Sequence, residues 1–235
     1  MMTKVGFIGL GNMGNKMVKN LLKGKYEVIG YDINEEFIKN LLPFGLKKAN
    51  SLNDISDDID VVITMLPNGE IVEEVYDNII KNFKPNTLLV DCSTIDVDKA
   101  KDIHKKCGAK NLLSLDAPVS GGVGGAEQAS LTFMVGGTEV AYKKMLPLFE
   151  TMGKKSLLCG SSGSGQATKA CNNMLLATTM IGVGEAFSLG KNLGLDPEKL
   201  FEIFSTSTGS CWAINSYCPI KGVGPISPAD NEFKP

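Results

Sequence analysis

The sequence predicts an α/β fold: a doubly wound sheet, then a long helix, then an incomplete all-helical second domain. Three observations predict it. Short apolar runs alternate with helical patterns from Lys4 to Leu158, as α/β sheets require. The first unit carries Gly9-Leu-Gly-Asn-Met-Gly14 between its strand and its helix, where a Rossmann-type sheet receives a pyrophosphate. Beyond Gly165 the alternation stops, and one apolar helical run extends from Gln166 to Asn192.

Lys4–Ile8 is the first β run, and Met17, Val18, Leu21 and Leu22 mark the helix after the glycine turn. Tyr26–Tyr31 is the second run and ends at Asp32. Gly9 permits the tight turn, Gly11 lets a pyrophosphate approach, and Gly14 lets helix and strand pack. Around Leu10, Asn12 and Met13 the helix start offers N–H groups and a positive partial charge to phosphate. Asp32 lies 18 residues after Gly14, near where a ribose-binding acid belongs. It repels a 2′-phosphate, and no arginine is present to accept one. The predicted cofactor is therefore NAD rather than NADP.

Glu35–Leu42 reads as a helix. Val61–Leu66 is a continuous apolar strand, as buried parallel strands are, and ends at Pro67-Asn-Gly69. Glu70–Asn82 is a helix, Thr87–Asp91 a strand ending in Cys92-Ser-Thr94, and Asp96–Cys107 a helix. The run Leu112–Leu115 leads into Asp116-Ala-Pro-Val-Ser-Gly-Gly-Val-Gly-Gly-Ala-Glu-Gln128. Its glycines let a ligand approach backbone N–H groups; Gly124 and Gly125 read as a turn. Leu131–Val135, Glu139–Met152 and Ser156–Leu158 complete a parallel sheet and its helices. The run Gly160–Gly165 marks the boundary between an NAD-binding domain, 1–162, and a helical domain, 163–235. There, apolar residues on nearly every face predict a buried long helix, and Asp196-Pro197 starts a helix over Glu198–Ser205.

All 24 basic residues are lysine. Arginine clamps on anions are therefore absent, which raises the weight of the glycine loops. The net charge of −2 gives no footprint for nucleic acid, and no apolar run is long enough to span a membrane. The six cysteines and His104 show no zinc spacing, so no metal is predicted. The cysteines show no close pairing, and a reducing compartment is the simpler reading.

Lys169 and Glu185 are the only charged residues between Gln166 and Gly190. A buried lysine has a lowered pKa, which suits proton transfer; Asn173 lies one turn on, with Asn172 beside it. The other reading is a snorkelling lysine at a helix start. His104, among Lys101, Lys105 and Lys106, reads as solvated surface. Tyr217 and Lys221 have a Tyr-x-x-x-Lys spacing, but Pro219 between them argues against the helical turn it needs. Trp212 reads as core rather than as a pocket wall.

Five motifs occur in order: Phe7-Ile-Gly-Leu-Gly-Asn-Met-Gly14, Met65-Leu-Pro67, Asp91-Cys-Ser-Thr94, Asp116–Gln128, and Gly165-Gln-Ala-Thr-Lys169-Ala-Cys-Asn-Asn173. Together they resemble the β-hydroxyacid dehydrogenase family, from Lys4 to about Phe233. The runs Ser210-Cys-Trp-Ala and Tyr217-Cys-Pro-Ile-Lys-Gly-Val223 resemble its 3-hydroxyisobutyrate dehydrogenases. The resemblance implies NAD-dependent oxidation of (S)-3-hydroxyisobutyrate to methylmalonate semialdehyde, in valine catabolism. It implies Lys169 as the catalytic lysine, Ser120, Gly121 and Gly122 as the holders of the substrate carboxylate, and Asn173 as a supporting amide. Leu66, Pro67 and Thr94 would contact the cofactor. The second domain would serve substrate binding and dimerisation, giving a homo-oligomer where that domain is whole.

Members of the family continue past Asn231–Pro235 into further helices, so the chain reads as a fragment or a shortened relative whose apolar helix faces lie uncovered. Two alternatives are a reductase for tartronate or succinic semialdehyde and an NAD-binding protein without turnover. 6-Phosphogluconate dehydrogenase shares the plan, but no basic phosphate pocket is visible. The expected compartment is the mitochondrial matrix in a eukaryote, with no presequence visible, and otherwise the cytoplasm.

Overall fold

A computed structural model describes residues 3–56 and 58–233; Lys234 and Pro235, the end of the 231–235 region, lie outside the described residues. In chain order the elements are β1 (Lys4–Ile8), α1 (Asn12–Lys23), β2 (Glu27–Tyr31), α2 (Glu35–Lys39), β3 (Lys47–Lys48), β4 (Val61–Thr64), α3 (Gly69–Ile79), β5 (Leu88–Asp91) and α4 (Val97–Gly108). Then follow β6 (Leu113–Asp116), β7 (Val119–Ser120), α5 (Gly122–Glu127), β8 (Leu131–Gly137), α6 (Glu139–Met152), β9 (Gly153–Gly160), α7 (Ser164–Asn192), α8 (Pro197–Thr206) and α9 (Trp212–Asn215).

The chain divides into two compact units, Met1–Lys169 and Ala170–Pro235. The predicted boundary at 162/163 lies earlier, because the first turns of α7 are bonded into the first unit. In that unit the described residues form a nine-stranded sheet in the order β3-β2-β1-β4-β5-β6-β8-β7, with β9 beside β8. From β3 to β6 the neighbours are parallel. Beyond them the sheet departs from the parallel expectation, since β8 runs antiparallel to β6 and β7. Too few residues join β7 to β8 for a parallel crossover, which needs a dozen or more.

Every residue of β4 and β5 is buried, because helices cover both faces. Met17, Val18 and Leu21 of α1 share one core with Met145, Leu148 and Phe149 of α6. Val72, Tyr76 and Ile79 of α3 share the other with Ile103 and Cys107 of α4. The parallel register aligns Ile8 with Thr64, Thr64 with Asp91, and Asp91 with Asp116. Four strands therefore end level, and the loops after them leave the sheet along one edge. That edge is where open α/β sheets bind their ligands.

Three expectations need correction. The helix predicted over Glu35–Leu42 stops at Lys39 and is followed by a 3-10 turn over Leu42–Phe44, because Pro43 has no N–H to give the Lys39 carbonyl and so cannot continue the i→i−4 ladder. Gly124 and Gly125 lie in α5 rather than in a turn. Asn20 of α1 donates to the Ala126 carbonyl at 2.7 Å in a buried bond, and that bracing holds a glycine-rich helix of low intrinsic propensity. The long helix predicted to be buried is largely exposed: Met174, Leu175 and Ile181 are 70%, 64% and 67% exposed. The second unit's core gathers on Val183 and Phe187, with Ala213, Ile214, Cys218 and Val223. The remaining apolar faces of α7 have no cover among the described residues.

Candidate active site

The first part of the site is the turn between β1 and α1. Gly9 takes φ +95°, and a Cβ there would overlap the Met65 carbonyl oxygen. A Cβ on Gly14 would overlap the Gly9 carbonyl oxygen. Only glycine fits either place. By contrast, a Cβ on Gly11 would meet nothing nearer than Phe37 Cε2, at 3.9 Å, so the backbone there is open to a ligand. Gly11 caps α1 without a side-chain hydrogen bond, and no acid stands in the first turn. The first N–H groups of α1 are thus left for an anion. Leu10 is buried, Met13 half-buried and Asn12 exposed. Asp32 closes β2: its Oδ2 accepts from Leu10 N at 2.7 Å and its Oδ1 from Asn34 N at 2.8 Å. A carboxylate has lone pairs to spare for ribose hydroxyls beyond these two bonds. Beside it Ile33 is 92% exposed, an apolar surface suited to a base. These residues fit a dinucleotide.

The second part is a buried polar frame joining the loops after β4, β5 and β6 to α7. Ser93 Oγ donates to Asp91 Oδ1 at 2.6 Å and accepts from Leu66 N at 2.8 Å. Thr64 Oγ1 adds a bond to Asp91 Oδ1 at 2.7 Å, while Asp91 Oδ2 has no partner among the described residues. Burial pushes the Asp91 carboxyl above its usual range, against the bonds from Ser93 and Thr64. Asp116 is buried at the end of β6. Its Oδ1 accepts from Gly163 N at 2.8 Å and its Oδ2 from Gln166 N at 2.9 Å. His104 Nε2 lies 3.2 Å from the same Oδ1. Burial opposes ionisation of Asp116, but the bonds from His104, Gly163 and Gln166 outweigh it and hold the carboxyl below its usual range.

His104 is therefore not solvated surface. Ser114 Oγ lies 2.8 Å from its Nδ1, and α4 packs it over β6 with its side chain 13% exposed. The neighbouring Lys101, Lys105 and Lys106 carry their ammonium groups out to Asp98, Asp102 and Asp77, even though Lys101, at i−3, shares the flank of His104. Trp212 is not core: it is 54% exposed and stacks on Tyr217, ring centroids 5.4 Å apart.

A Cβ on Gly165 would overlap the Met134 carbonyl oxygen and come within 2.6 Å of the Asp116 carbonyl oxygen. Glycine is needed where α7 starts on Asp116. Gly165→Ala should cost ~1–3 kcal/mol, the usual price of overpacking, read as a lower urea midpoint. An unchanged midpoint would mean that this start is not tightly seated.

The first-unit site residues meet along the one sheet edge. Leu66 is half-buried and Pro67 exposed after β4; Thr94 is exposed after β5. Ser120 is half-buried in β7, and Gly121 and Gly122 are exposed, with φ +134° and +62°. Nothing lies within 4 Å of a Cβ built on Gly122, so this loop presents bare backbone. Lys169 is half-buried on α7, with no hydrogen bond or ion pair to a described residue, and burial lowers its pKa. Asn173 is exposed, four residues further along α7, in the second unit.

A glycine turn at a helix start, an acid closing the second strand, and a half-buried lysine beside the same sheet edge define a dinucleotide-dependent oxidoreductase. Comparison with known proteins specifies the family. Residues 4–160 match the model of the NAD-binding domain of 6-phosphogluconate dehydrogenase. Residues 163–224 match the model described as the NAD-binding domain of NADP-dependent 3-hydroxyisobutyrate dehydrogenase. The Drosophila melanogaster mitochondrial 3-hydroxyisobutyrate dehydrogenase is 46% identical over 97% of this chain and 71% of its own length. The human mitochondrial enzyme is 44% identical over 99% and 70%. The solved Mycobacterium tuberculosis 3-hydroxyisobutyrate dehydrogenase with L-serine is 44% identical, with a TM-score of 0.95 over 100% of this chain and 81% of that one. The chain belongs to the 3-hydroxyisobutyrate dehydrogenase family of NAD-binding oxidoreductases that act on CH–OH groups.

Proposed function

We propose that the protein oxidises (S)-3-hydroxyisobutyrate to methylmalonate semialdehyde with NAD, a step of valine catabolism. One observation carries this reading beyond family membership. Asp116 ends the strand that leads into Ser120–Gly122, and the same carboxylate receives the start of the helix bearing Lys169. A loop able to hold a carboxylate and a lysine able to take a proton thus share one rigid root. The L-serine solved with the mycobacterial relative supports the substrate class, since serine too carries a carboxylate and a 3-hydroxyl.

NAD supplies the acceptor for the hydride that leaves the hydroxyl-bearing carbon. The chain does the rest. Backbone N–H groups of Gly121 and Gly122, with the Ser120 hydroxyl, hold the carboxylate and orient that carbon. Lys169 Nζ takes the hydroxyl proton, and the Asn173 amide steadies the oxygen. Leu66, Pro67 and Thr94 contact the cofactor. The exposed apolar residues of α7 suit assembly with a second copy. No helix among the described residues is long and apolar enough to cross a membrane. The matching compartment is the mitochondrial matrix in a eukaryote and the cytoplasm in a bacterium.

Asp32 sets the cofactor. A 2′-phosphate about 4 Å from its carboxylate costs ~4 kcal/mol at an effective dielectric of ~20. Asp32→Asn is expected to narrow the NAD-over-NADP binding preference by at least ~10-fold, out of the ~1000-fold that this energy allows. Parallel titrations with the two nucleotides measure it; an unchanged ratio would remove Asp32 from this role.

The reading is tested by a panel of hydroxy acids and their neutral analogues with NAD. 3-Hydroxyisobutyrate should outperform its methyl ester and its amide, because only the acid engages Ser120–Gly122. Equal turnover of acid and ester would refute the carboxylate anchor. Preference for reducing tartronate or succinic semialdehyde would reassign the substrate.

A further inference from the structure

We propose that Gln166 is a positioning residue, which sets the Thr94 loop against the helix that carries Lys169. Its side chain is buried, at 2% exposure, yet both ends of its amide are used. Nε2 donates to the Ser93 carbonyl oxygen at 2.8 Å, and Oε1 accepts from Ile95 N at 3.1 Å. The two bonds straddle Thr94. Gln166 N is itself fixed by Asp116 Oδ2 at 2.9 Å, and Lys169 follows three residues later, one helical turn on. Ser93 also receives Leu66 N. One amide therefore ties the loops after β4 and β5 to the turn of α7 that carries the lysine.

The residue type follows from this task. A primary amide donates and accepts at once across a planar group. A hydroxyl cannot span both partners, and asparagine is one methylene too short. A residue needed only to start α7 would not have to reach across to another loop. The inference rests on the reading of Thr94 as a cofactor contact and Lys169 as the base. On that reading, freeing the loop lets the cofactor end shift against the base. An error of about 1 Å in such a geometry costs up to ~100-fold in rate.

Two variants test it. Gln166→Met keeps length and volume but loses both bonds. It should lower kcat by ~10–100-fold with little change in KM for 3-hydroxyisobutyrate. In the unliganded protein it should also speed amide exchange at Ile95, whose N–H loses its acceptor. Gln166→Glu restores both bonds only while protonated, when its O–H can donate to Ser93; as a carboxylate it faces that carbonyl oxygen with negative charge. The ratio of its kcat to that of the unsubstituted protein at the same pH should approach one at low pH and fall as pH rises through the new carboxyl's pKa, a limb that cannot come from Lys169.

Near-normal kcat in Gln166→Met would overturn the proposal. So would a loss of kcat that follows thermal stability, with no new pH limb in Gln166→Glu. If the unsubstituted chain forms no NADH, the proposed function fails, but Ile95 exchange and NAD affinity still decide this inference. Faster exchange with weaker NAD binding in Gln166→Met supports it, and unchanged values overturn it.

Discussion

Lys169→Ala is expected to lower kcat for 3-hydroxyisobutyrate oxidation by ~10²–10⁴-fold, the usual contribution of a positioned acid–base group, while NAD affinity stays the same. Lys169 is half-buried with no described polar partner, and burial alone lowers its pKa. The sign of the pH effect follows. In oxidation the neutral amine accepts the hydroxyl proton, so kcat rises with pH through the lowered lysine pKa. In reduction the ammonium donates, so the rate falls over the same interval. Lys169→Arg should not rescue, because a guanidinium does not give up its proton in a protein. Steady-state rates across pH, with NAD titration of each variant, check all three statements. Near-normal turnover in Lys169→Ala would move the base elsewhere.

The largest structural effect is expected at Asp116. Asp116→Ala removes the acceptor of Gly163 N and Gln166 N and the partner of His104. Leaving these two buried N–H donors without an acceptor costs ~1–3 kcal/mol each, or roughly 4 °C or more in melting temperature for a domain of this size. A pH dependence accompanies it. The folded carboxyl is held below its unfolded range. Its stabilisation is therefore complete above the unfolded carboxylate pKa and is lost as pH falls through the folded one. Asp116→Asn should flatten that acid limb of the stability curve. Thermal melts at several pH values measure both effects, and a shift under 2 °C in Asp116→Ala, about half a kcal/mol, would show that α7 is seated by other contacts.

What the sequence made legible was the part written as period and motif. The nucleotide turn could be read because only glycine satisfies its sterics and because a strand and a helix flank it. Strands such as Val61–Thr64 are legible as apolar runs, since burial on both faces leaves no alternation to hide them. The frame beneath the site was not. Gln166 and Ser93 were visible as letters in motifs, but their partners lie dozens of residues away and no local pattern announces a hydrogen bond. Asp116 offered one signal: a carboxylate closing an apolar strand must find donors when buried. His104 was hidden for the opposite reason: its lysine neighbours reach out to surface acids, and nothing in that charge run shows that its own ring turns in to Asp116. The apolar pattern of α7 did promise cover, but the described residues of this chain supply it on one face only.

The central claim is that this chain couples a hydroxy acid at the Ser120–Gly122 loop to NAD at the β1–α1 turn through Lys169. Mixing the unsubstituted chain with NAD and (S)-3-hydroxyisobutyrate, and assaying NADH beside methylmalonate semialdehyde, tests it most directly. The expected result is both products in equal amounts, formed at least ~100-fold more slowly by Lys169→Ala. NAD binding without NADH, across the hydroxy acid panel, would contradict it and leave a nucleotide-binding protein without turnover.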